Sequence, residues 1–214
     1  PRQAVELFHC RVLKALDERV PKESYAIKGG CNLRMLLGSP RSSEDLDIDI
    51  QQVAKHTLEK IMETIIGKQV SPFLRTHNVK ISDFRAVKQT DTVQRWKFAI
   101  EFLQEEFPTK IEFSRRKLGE AKRGQIVPEF QAAYETGPLA LSHYGPTPAL
   151  HQKISALAKR AVTQARDVFD IAFLQDLNPK FPAGLGTDIL QKARDNASSL
   201  RFPDFSGQVI PYLD

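Results

Sequence analysis

The chain has 214 residues, of which 41% are hydrophobic and 27% charged, and its formal net charge is +5. A chain of this length buries a core large enough to fold without disulfides, and its two cysteines, Cys10 and Cys31, match no disulfide framework or zinc motif. No apolar run approaches the roughly 18 residues of a membrane span, and the first six residues are not typical of a signal peptide, so we expect a cytoplasmic protein with no membrane partner. The basic excess is compatible with a polyanionic partner.

The first half of the chain alternates helical and strand patterns. Apolar residues at near-helical spacing predict an amphipathic helix over residues 3–20, ended by Pro21. The following elements are predicted next: a strand over 24–28, a helix over 32–37, a strand over 45–50 and a helix over 54–66.

The middle of the chain is rich in strand patterns and its end is helical. We predict strands over 79–88, 92–103 and 110–114, the third after a break at Pro108. Residues 115–148 show few clear periods; one long helix is then predicted from Pro148 to about Leu174, and another over 186–200. The order predicts an α+β fold, with an α/β domain over 1–118 and a mainly helical domain over 119–214.

Acidic and aliphatic residues alternate in the strand over 45–50. Asp45, Asp47 and Asp49 share one face of such a strand, and three like charges there repel one another unless a cation, a basic partner or water offsets them. The aliphatic face indicates that the strand is half buried, which favours a divalent cation with oxygen ligands, Mg²⁺ or Mn²⁺. An exposed edge strand with acids on its wet face is the alternative.

Two glycines, Gly29 and Gly30, end the preceding strand and open a short helix. Glycine lets a backbone come close to a phosphate, and a helix N-terminus offers free N–H groups to the same anion. An ordinary turn is the alternative. Combined with the acids, this turn predicts a phosphate cradle followed by carboxylates that hold a metal against the phosphates.

These segments resemble the signature of the AbiEii/AbiGii toxin family, which belongs to the DNA polymerase β-like nucleotidyltransferase superfamily. Residues 27–34 read Ile-Lys-Gly-Gly-Cys-Asn-Leu-Arg, and residues 41–48 read Arg-Ser-Ser-Glu-Asp-Leu-Asp-Ile. The family pattern is Lys-Gly-Gly, a short helix, then Arg-x-Ser-x-Asp-hydrophobic-Asp. The resemblance implies a polymerase β-like domain of mixed sheet and flanking helices, followed by a C-terminal helical bundle. It also implies phosphate-binding roles for Lys28, Arg41 and Ser43.

The resemblance extends to a third acid and to the C-terminal half. Superfamily members carry a third metal-binding carboxylate on a neighbouring strand, and Glu112 fits that place, with an ordinary solvent-face acid as the alternative. In one continuous helix, at about 100° per residue, Lys153, Arg160 and Asp167 lie within roughly 40° of one another. We predict catalytic roles for Lys153 and Asp167 and phosphate binding by Arg160, with Asp170 as the alternate acid and a surface salt-bridge ladder as the alternative reading.

The predicted reaction moves a nucleoside monophosphate from a nucleoside triphosphate to an acceptor hydroxyl, with Asp45 and Asp47 as metal-binding and catalytic acids. The resemblance implies the toxin of a bacterial toxin–antitoxin pair, with a cognate antitoxin and the 3′ end of tRNA as an acceptor. A basic run over 115–123 offers phosphate contacts, or is a solvated loop. Two alternatives stay open: a protein or small-molecule hydroxyl as the acceptor, and a non-catalytic nucleotide-binding module.

Overall fold

The computed structural model describes residues 2–213 and contains a mixed seven-stranded sheet flanked by helices. The strands have these bounds: β1 Tyr25–Lys28, β2 Asp45–Ile50, β3 Lys80–Gln89, β4 Val93–Phe102, β5 Glu105–Ser114, β6 Ala121–Gln125 and β7 Ala140–Tyr144. They lie side by side in the order β3-β4-β5-β2-β1-β7-β6. The pairs β2/β5 and β1/β7 are parallel and the other pairs are antiparallel. The acid-bearing strand β2 therefore lies in the middle of the sheet.

The helices connect and cover these strands. Their bounds are α1 Arg2–Asp17, α2 Gly29–Leu37, α3 Lys55–Ile65, α4 Ser71–Thr76, α5 Pro128–Ala133, α6 Pro146–Lys159, α7 Ala165–Asp176, α8 Thr187–Ser199 and α9 Phe202–Gln208. A π-helical turn, Ile66–Val70, joins α3 to α4. Among the helices formed by residues 2–213, none combines the length and the apolar composition that crossing a membrane requires.

Two hydrophobic clusters form the interior. The first, which we call the sheet cluster, joins α1 and α3 to the sheet and includes Leu46, Ile48 and Ile50 of β2, all fully buried. The second, which we call the helical cluster, lies among α6, α7 and α8. Helix α2 contributes to both, since Met35 packs in the sheet cluster and Leu33 in the helical cluster. Alternation in β2 thus places its aliphatic face in the core and its acidic face towards the other side.

The predicted long helix from Pro148 to about Leu174 is wrong. The chain forms two helices there, α6 and α7, separated by residues 160–164. Residues 160–164 contain no glycine or proline, so no local signal marks the break. Tertiary contacts override the helical pattern, because Ala165 at the start of α7 donates its N–H to Gln208 at the end of α9.

The predicted strand break at Pro108 is also wrong, because β5 runs through this residue, which pairs with Ala99 of β4. Proline has no N–H to donate to a neighbouring strand. It is tolerated here because β5 pairs with β2 only from Lys110 onwards, beyond the proline. Strands β6 and β7 lie in the stretch for which no element was predicted. The sheet therefore includes strands from both sides of residue 118, and the division into domains 1–118 and 119–214 stays a prediction.

Candidate active site

The predicted acids lie at the centre of the sheet, where β2 has a neighbour on each side. Asp47 is opposite Lys28 of β1 and opposite Glu112 of β5, while Asp45 is opposite Lys110 of β5. Because β2 and β5 run in parallel with matched register, Asp45, Asp47, Lys110 and Glu112 point to one side of the sheet. Acidic and basic side chains consequently alternate across this face.

Three of the acids on this face are bound to basic side chains. Lys110 Nζ lies 2.5 Å from Asp45 Oδ2, and Arg95 Nη2 lies 2.5 Å from Glu112 Oε2. Lys28, which we predicted to bind phosphate, has its Nζ 2.5 Å from Asp49 Oδ1. These pairs reduce the like-charge repulsion that the alternating sequence implies.

Asp47 differs from its neighbours. Within residues 2–213, its carboxylate forms no hydrogen bond or ion pair with another side chain. Burial is the largest cause that raises the pKa of Asp47, and the charges of Asp45 and Glu112 add to it, against the opposing effect of Lys110 and Lys28. An unpartnered carboxylate that is costly to ionise gains most from a cation placed beside it.

Asp45, Asp47 and Glu112 line one cavity of about 350 Å³, and their oxygens are the ligands that Mg²⁺ and Mn²⁺ prefer. The donor chemistry therefore fits a divalent ion. Across the part of the chain that the structure describes, no group of three His, Cys, Asp or Glu side chains is arranged to hold a metal. Lys110 binds Asp45 Oδ2 and Arg95 binds Glu112 Oε2, so each cation competes with an ion for one oxygen of its carboxylate.

The predicted glycine turn forms the first turn of α2 and lines the same cavity. Gly29 has a φ of +67°, and a Cβ there would lie 2.8 Å from Asp47 Oδ2. A Cβ on Gly30 would lie 2.6 Å from Ser43 Oγ. Glycine is thus needed at both positions, because α2 comes very close to Asp47 of β2 and to Ser43 before it. No side chain caps the start of α2, so its free N–H groups favour an anion.

Arg41 and Ser43 line this cavity but also stabilise the segment that they belong to. Arg41 donates Nε and Nη2 to the two carboxylate oxygens of Asp170, at 2.9 and 2.8 Å, and Ser43 Oγ donates to the Asp45 carbonyl oxygen. Burial alone raises the pKa of Asp170, but Lys153 and Arg41 together bring it below its ordinary value. Asp170 is therefore a charged carboxylate that fastens α7 to this segment.

Lys153, Arg160 and Asp167 meet in space, although not along a single helix. Lys153 Nζ lies 3.1 Å from Asp167 Oδ1 and 2.6 Å from Asp170 Oδ2. Arg160 Nε lies 2.6 Å from Asp167 Oδ2. The chain turn between α6 and α7 brings the three together. Lys153 and Arg160 line the cavity, whereas Asp167 is fully buried behind them and holds both.

Comparison with known proteins places the chain in a family. The sequence profile described as "Nucleotidyl transferase AbiEii toxin, Type IV TA system" matches residues 11–207. The chain belongs to the AbiEii nucleotidyl transferase toxin family. The family predicted from the sequence is thus confirmed. A search of curated protein sequences finds no match.

Solved structures confirm the fold class. MenT4, the nucleotidyltransferase toxin Rv2826c from Mycobacterium tuberculosis H37Rv, is similar with a TM-score of 0.64 and 20% identity over 84% of this chain. The match covers 60% of MenT4, so this chain spans less than two thirds of that relative. JHP933 from Helicobacter pylori is similar with a TM-score of 0.55 and 18% identity, over 94% of each chain. At these identities, the likeness establishes the fold.

Several further residues line the cavity, and none of them was predicted to take part in the site. They are Glu44, Arg95, Lys110, Gln152 and Arg166. For Lys110 a signal was present, because it alternates with Glu112 about the buried Ile111 and so shares its face. For Arg95, only the pairing of β4 with β5 places it opposite Glu112.

A buried polar network supports β2 from behind the cavity. His9 of α1 contacts Thr109 Oγ1 of β5 through Nε2 at 2.8 Å, and Thr109 donates to the Glu44 carbonyl oxygen. Cys31 of α2 donates its thiol to the Asp45 carbonyl oxygen at 3.1 Å. The thiol of Cys31 thus holds the backbone of the first acid of β2.

Proposed function

We propose that this chain is a metal-dependent nucleotidyltransferase toxin that moves a nucleoside monophosphate from a nucleoside triphosphate to an acceptor hydroxyl. The observation that carries the proposal is one cavity lined by the carboxylates Asp45, Asp47 and Glu112 and by the phosphate-binding candidates Gly29, Gly30, Lys153 and Arg160. Family membership supports the same reaction class.

Each side of the cavity has its own part in the reaction. Asp45, Asp47 and Glu112 would hold Mg²⁺ or Mn²⁺, which would neutralise charge on the triphosphate and lower the pKa of the acceptor hydroxyl. The start of α2 and Lys153 bind the β- and γ-phosphates. The hydroxyl oxygen attacks the α-phosphorus, its proton passes to solvent, and the bond to the bridging oxygen breaks as pyrophosphate leaves. Catalysis is thus mainly positioning and charge neutralisation.

Asp167 and Asp170 act behind these groups. Both bind Lys153, and Asp167 also binds Arg160, so the two acids hold the cationic side chains in the orientation that faces the triphosphate. We assign Asp167 to this positioning and Asp170 mainly to the anchoring of Arg41. Lys28 is bound to Asp49 in the substrate-free site, lies opposite Asp47, and remains a phosphate-binding candidate.

The proposed acceptor is the 3′ end of tRNA, and a wide groove next to the cavity supports a polynucleotide. The groove has a volume of about 730 Å³, shares Asp47 and Glu112 with the cavity, and is lined by Arg116, Lys117 and Lys159. These exposed cations suit phosphate groups of a strand whose end reaches the acids. Two other members of the predicted basic run serve the fold instead, because Arg115 binds Gln94 and Val53, and Arg123 binds Asp17.

A transfer assay tests the reaction. The protein is incubated with each of the four labelled nucleoside triphosphates, Mg²⁺ and either total tRNA or cell lysate. We expect label on tRNA with one or more triphosphates. Label on protein alone contradicts the tRNA acceptor, and no label on any acceptor contradicts the transferase.

Asp47→Asn is the matched test of the site. It removes the charge of the unpartnered carboxylate with little change in shape, and we expect the transfer rate to fall roughly 100-fold or more. Asp91→Asn, at an exposed acid whose partner is Lys55 on the surface, is the control and should leave the rate unchanged.

A cognate antitoxin is also part of the proposal. We expect co-expression of the antitoxin gene to rescue the growth of cells that express the chain.

A further inference from the structure

Lys110 and Arg95 occupy the carboxylates that the proposed function assigns to the metal. Lys110 Nζ is 2.5 Å from Asp45 Oδ2 and Arg95 Nη2 is 2.5 Å from Glu112 Oε2. The side chains of Lys110 and Arg95 are 32% and 34% exposed, so neither is locked in the core. Both also line the cavity with the phosphate-binding candidates.

The charges around the cavity indicate what these cations do when the site fills. Its lining contains seven basic side chains, namely those of Lys28, Arg41, Arg95, Lys110, Lys153, Arg160 and Arg166. Four acidic side chains line it as well, those of Glu44, Asp45, Asp47 and Glu112. A divalent ion bound to Asp45 repels the ammonium of Lys110, which then needs another anion. The triphosphate supplies that anion in the same cavity.

We propose that Lys110 exchanges partners: it neutralises Asp45 in the substrate-free site and binds a phosphate oxygen of the triphosphate when a divalent ion takes Asp45. Arg95 acts in the same way at Glu112. The inference rests on the proposed function. A lysine suits this exchange, because its ammonium is a compact charge on a flexible stem with three rotatable donors. The exchange couples metal and nucleotide binding, since metal binding frees Lys110 for the phosphate and phosphate binding frees Asp45 for the metal.

The simpler role for Lys110 is a fixed ion pair that helps β5 to pair with β2. An ion pair at this degree of exposure contributes little to stability. The two roles predict different binding behaviour. Removal of either kind of cation strengthens metal binding, because Asp45 then has no competing positive charge. Only removal of an exchanging cation also weakens nucleotide binding, since a fixed pair makes no contact with the phosphates.

Calorimetry on the full chain separates these roles with two probes. Mn²⁺ alone reports on the carboxylates, and a non-hydrolysable nucleoside triphosphate analogue with Ca²⁺ reports on the phosphates. For Lys110→Met we expect Mn²⁺ to bind roughly tenfold more tightly and the analogue roughly tenfold more weakly, which corresponds to one charge-assisted hydrogen bond. Lys110→Gln should behave in the same way, and Lys110→Arg should restore the affinity for the analogue.

Lys97→Met is the matched control, because Lys97 is opposite Lys110 on β4, is exposed, and lies outside the cavity lining. It should change neither affinity. If Lys110→Met and Lys110→Gln leave the affinity for the analogue unchanged or raise it, or if they weaken Mn²⁺ binding as well, the exchange is wrong while the proposed function stands. If the wild-type chain binds neither Mn²⁺ nor the analogue, the proposed function fails and the inference fails with it.

Discussion

His9 is a buried histidine whose hydrogen bonds fix its protonation state. Thr109 gives its hydroxyl proton to the Glu44 carbonyl oxygen, so His9 Nε2 must donate to Thr109 Oγ1. His9 Nδ1 then carries no proton and lies 3.5 Å from Cys31 Sγ, whose own proton goes to the Asp45 carbonyl oxygen. A second proton on the ring would point at sulfur, which is a weak acceptor. Burial accordingly lowers the pKa of His9 to about 4, although the charge of Asp45 opposes the shift.

The lowered pKa of His9 makes the stability of the fold depend on pH. The unfolded chain protonates His9 near pH 6.5 and the folded chain near pH 4, so between these values the unfolded state binds more protons and stability falls as pH falls. At about 1.4 kcal/mol per unit, the loss across this window is about 3 kcal/mol. Urea unfolding at a series of pH values measures it.

His9→Gln tests this assignment, since glutamine retains a donor for Thr109 and does not titrate. We expect the variant to lose less stability than the wild-type chain as pH falls from 6.5 to 4. The pKa of the buried His143 is also lowered to about 4, and because both proteins carry His143, its effect cancels in the difference. Equal dependence of stability on pH in the two proteins would show that the folded chain protonates His9 at the same pH as the unfolded chain.

At the scale of elements, the turn from β1 into α2 sets the distance between the helix N-terminus and β2. Gly29 has a positive φ, a conformation that costs other L-residues about 1–2 kcal/mol. In Gly29→Ala, the new Cβ also meets the Asp47 carboxylate. We expect a loss of stability of that size together with a lower transfer rate, measured by thermal unfolding and by the labelled transfer assay.

Gly67→Ala is the control for this substitution. Gly67 lies in the π-helical turn, and a Cβ there meets nothing within 4 Å. We expect it to leave the transfer rate unchanged and stability equal or slightly higher, because alanine restricts the unfolded chain more than glycine does. A Gly29→Ala protein that matches Gly67→Ala in both properties would show that the turn tolerates a side chain and that Asp47 is not held in place by it.

Strong local patterns in the sequence predicted the elements that build one side of the site. Strand β2 follows the alternation of Leu46 and Ile48 with the acids, and Gly38 ends α2 in the left-handed conformation at φ +79°. Strand β7 was missed because its buried Ser142 and His143 look solvent-exposed in sequence. Each is satisfied by a distant partner, Ser142 by the Lys22 carbonyl oxygen and His143 by Asn32.

Dependence on partners that are distant in the sequence also limits the prediction of the site itself. The acids and glycines are recognisable from their spacing, but Lys110 and Arg95 resemble ordinary surface cations of a strand. Their roles depend on the pairing order β4-β5-β2, which is a property of the whole sheet. Lys153, Arg160 and Asp167 were grouped correctly, but through a helix that is in fact broken between them.

At the scale of the whole molecule, the candidate site lies between the two hydrophobic clusters. The acids project from the sheet, whereas Lys153 belongs to α6, which packs in the helical cluster. The buried ion pair of Arg41 with Asp170 connects the two sides. The cavity therefore keeps its shape only if the helical cluster holds α6 and α7 against the sheet.

Leu157→Ala tests whether the two clusters are separate units of stability. Leu157 is buried in the helical cluster, and its truncation to alanine lowers the free energy of unfolding by roughly 2–5 kcal/mol. Because its contacts lie among the helices, we expect amide hydrogen exchange to speed up in α6, α7 and α8 and to stay unchanged in β2 and β5. The transfer rate should also fall, since Lys153 loses its fixed position above the acids.

Leu58→Ala in α3 is the reciprocal substitution, because Leu58 is fully buried in the sheet cluster. We expect it to speed exchange in the sheet at least as much as in α6 to α8. If Leu157→Ala instead speeds exchange equally in β2, β5 and the helices, the clusters unfold together, and Leu33 of α2 and the Arg41–Asp170 pair couple them into one cooperative unit. That result would contradict two domains, since a helical domain must open without the sheet if it is a separate unit.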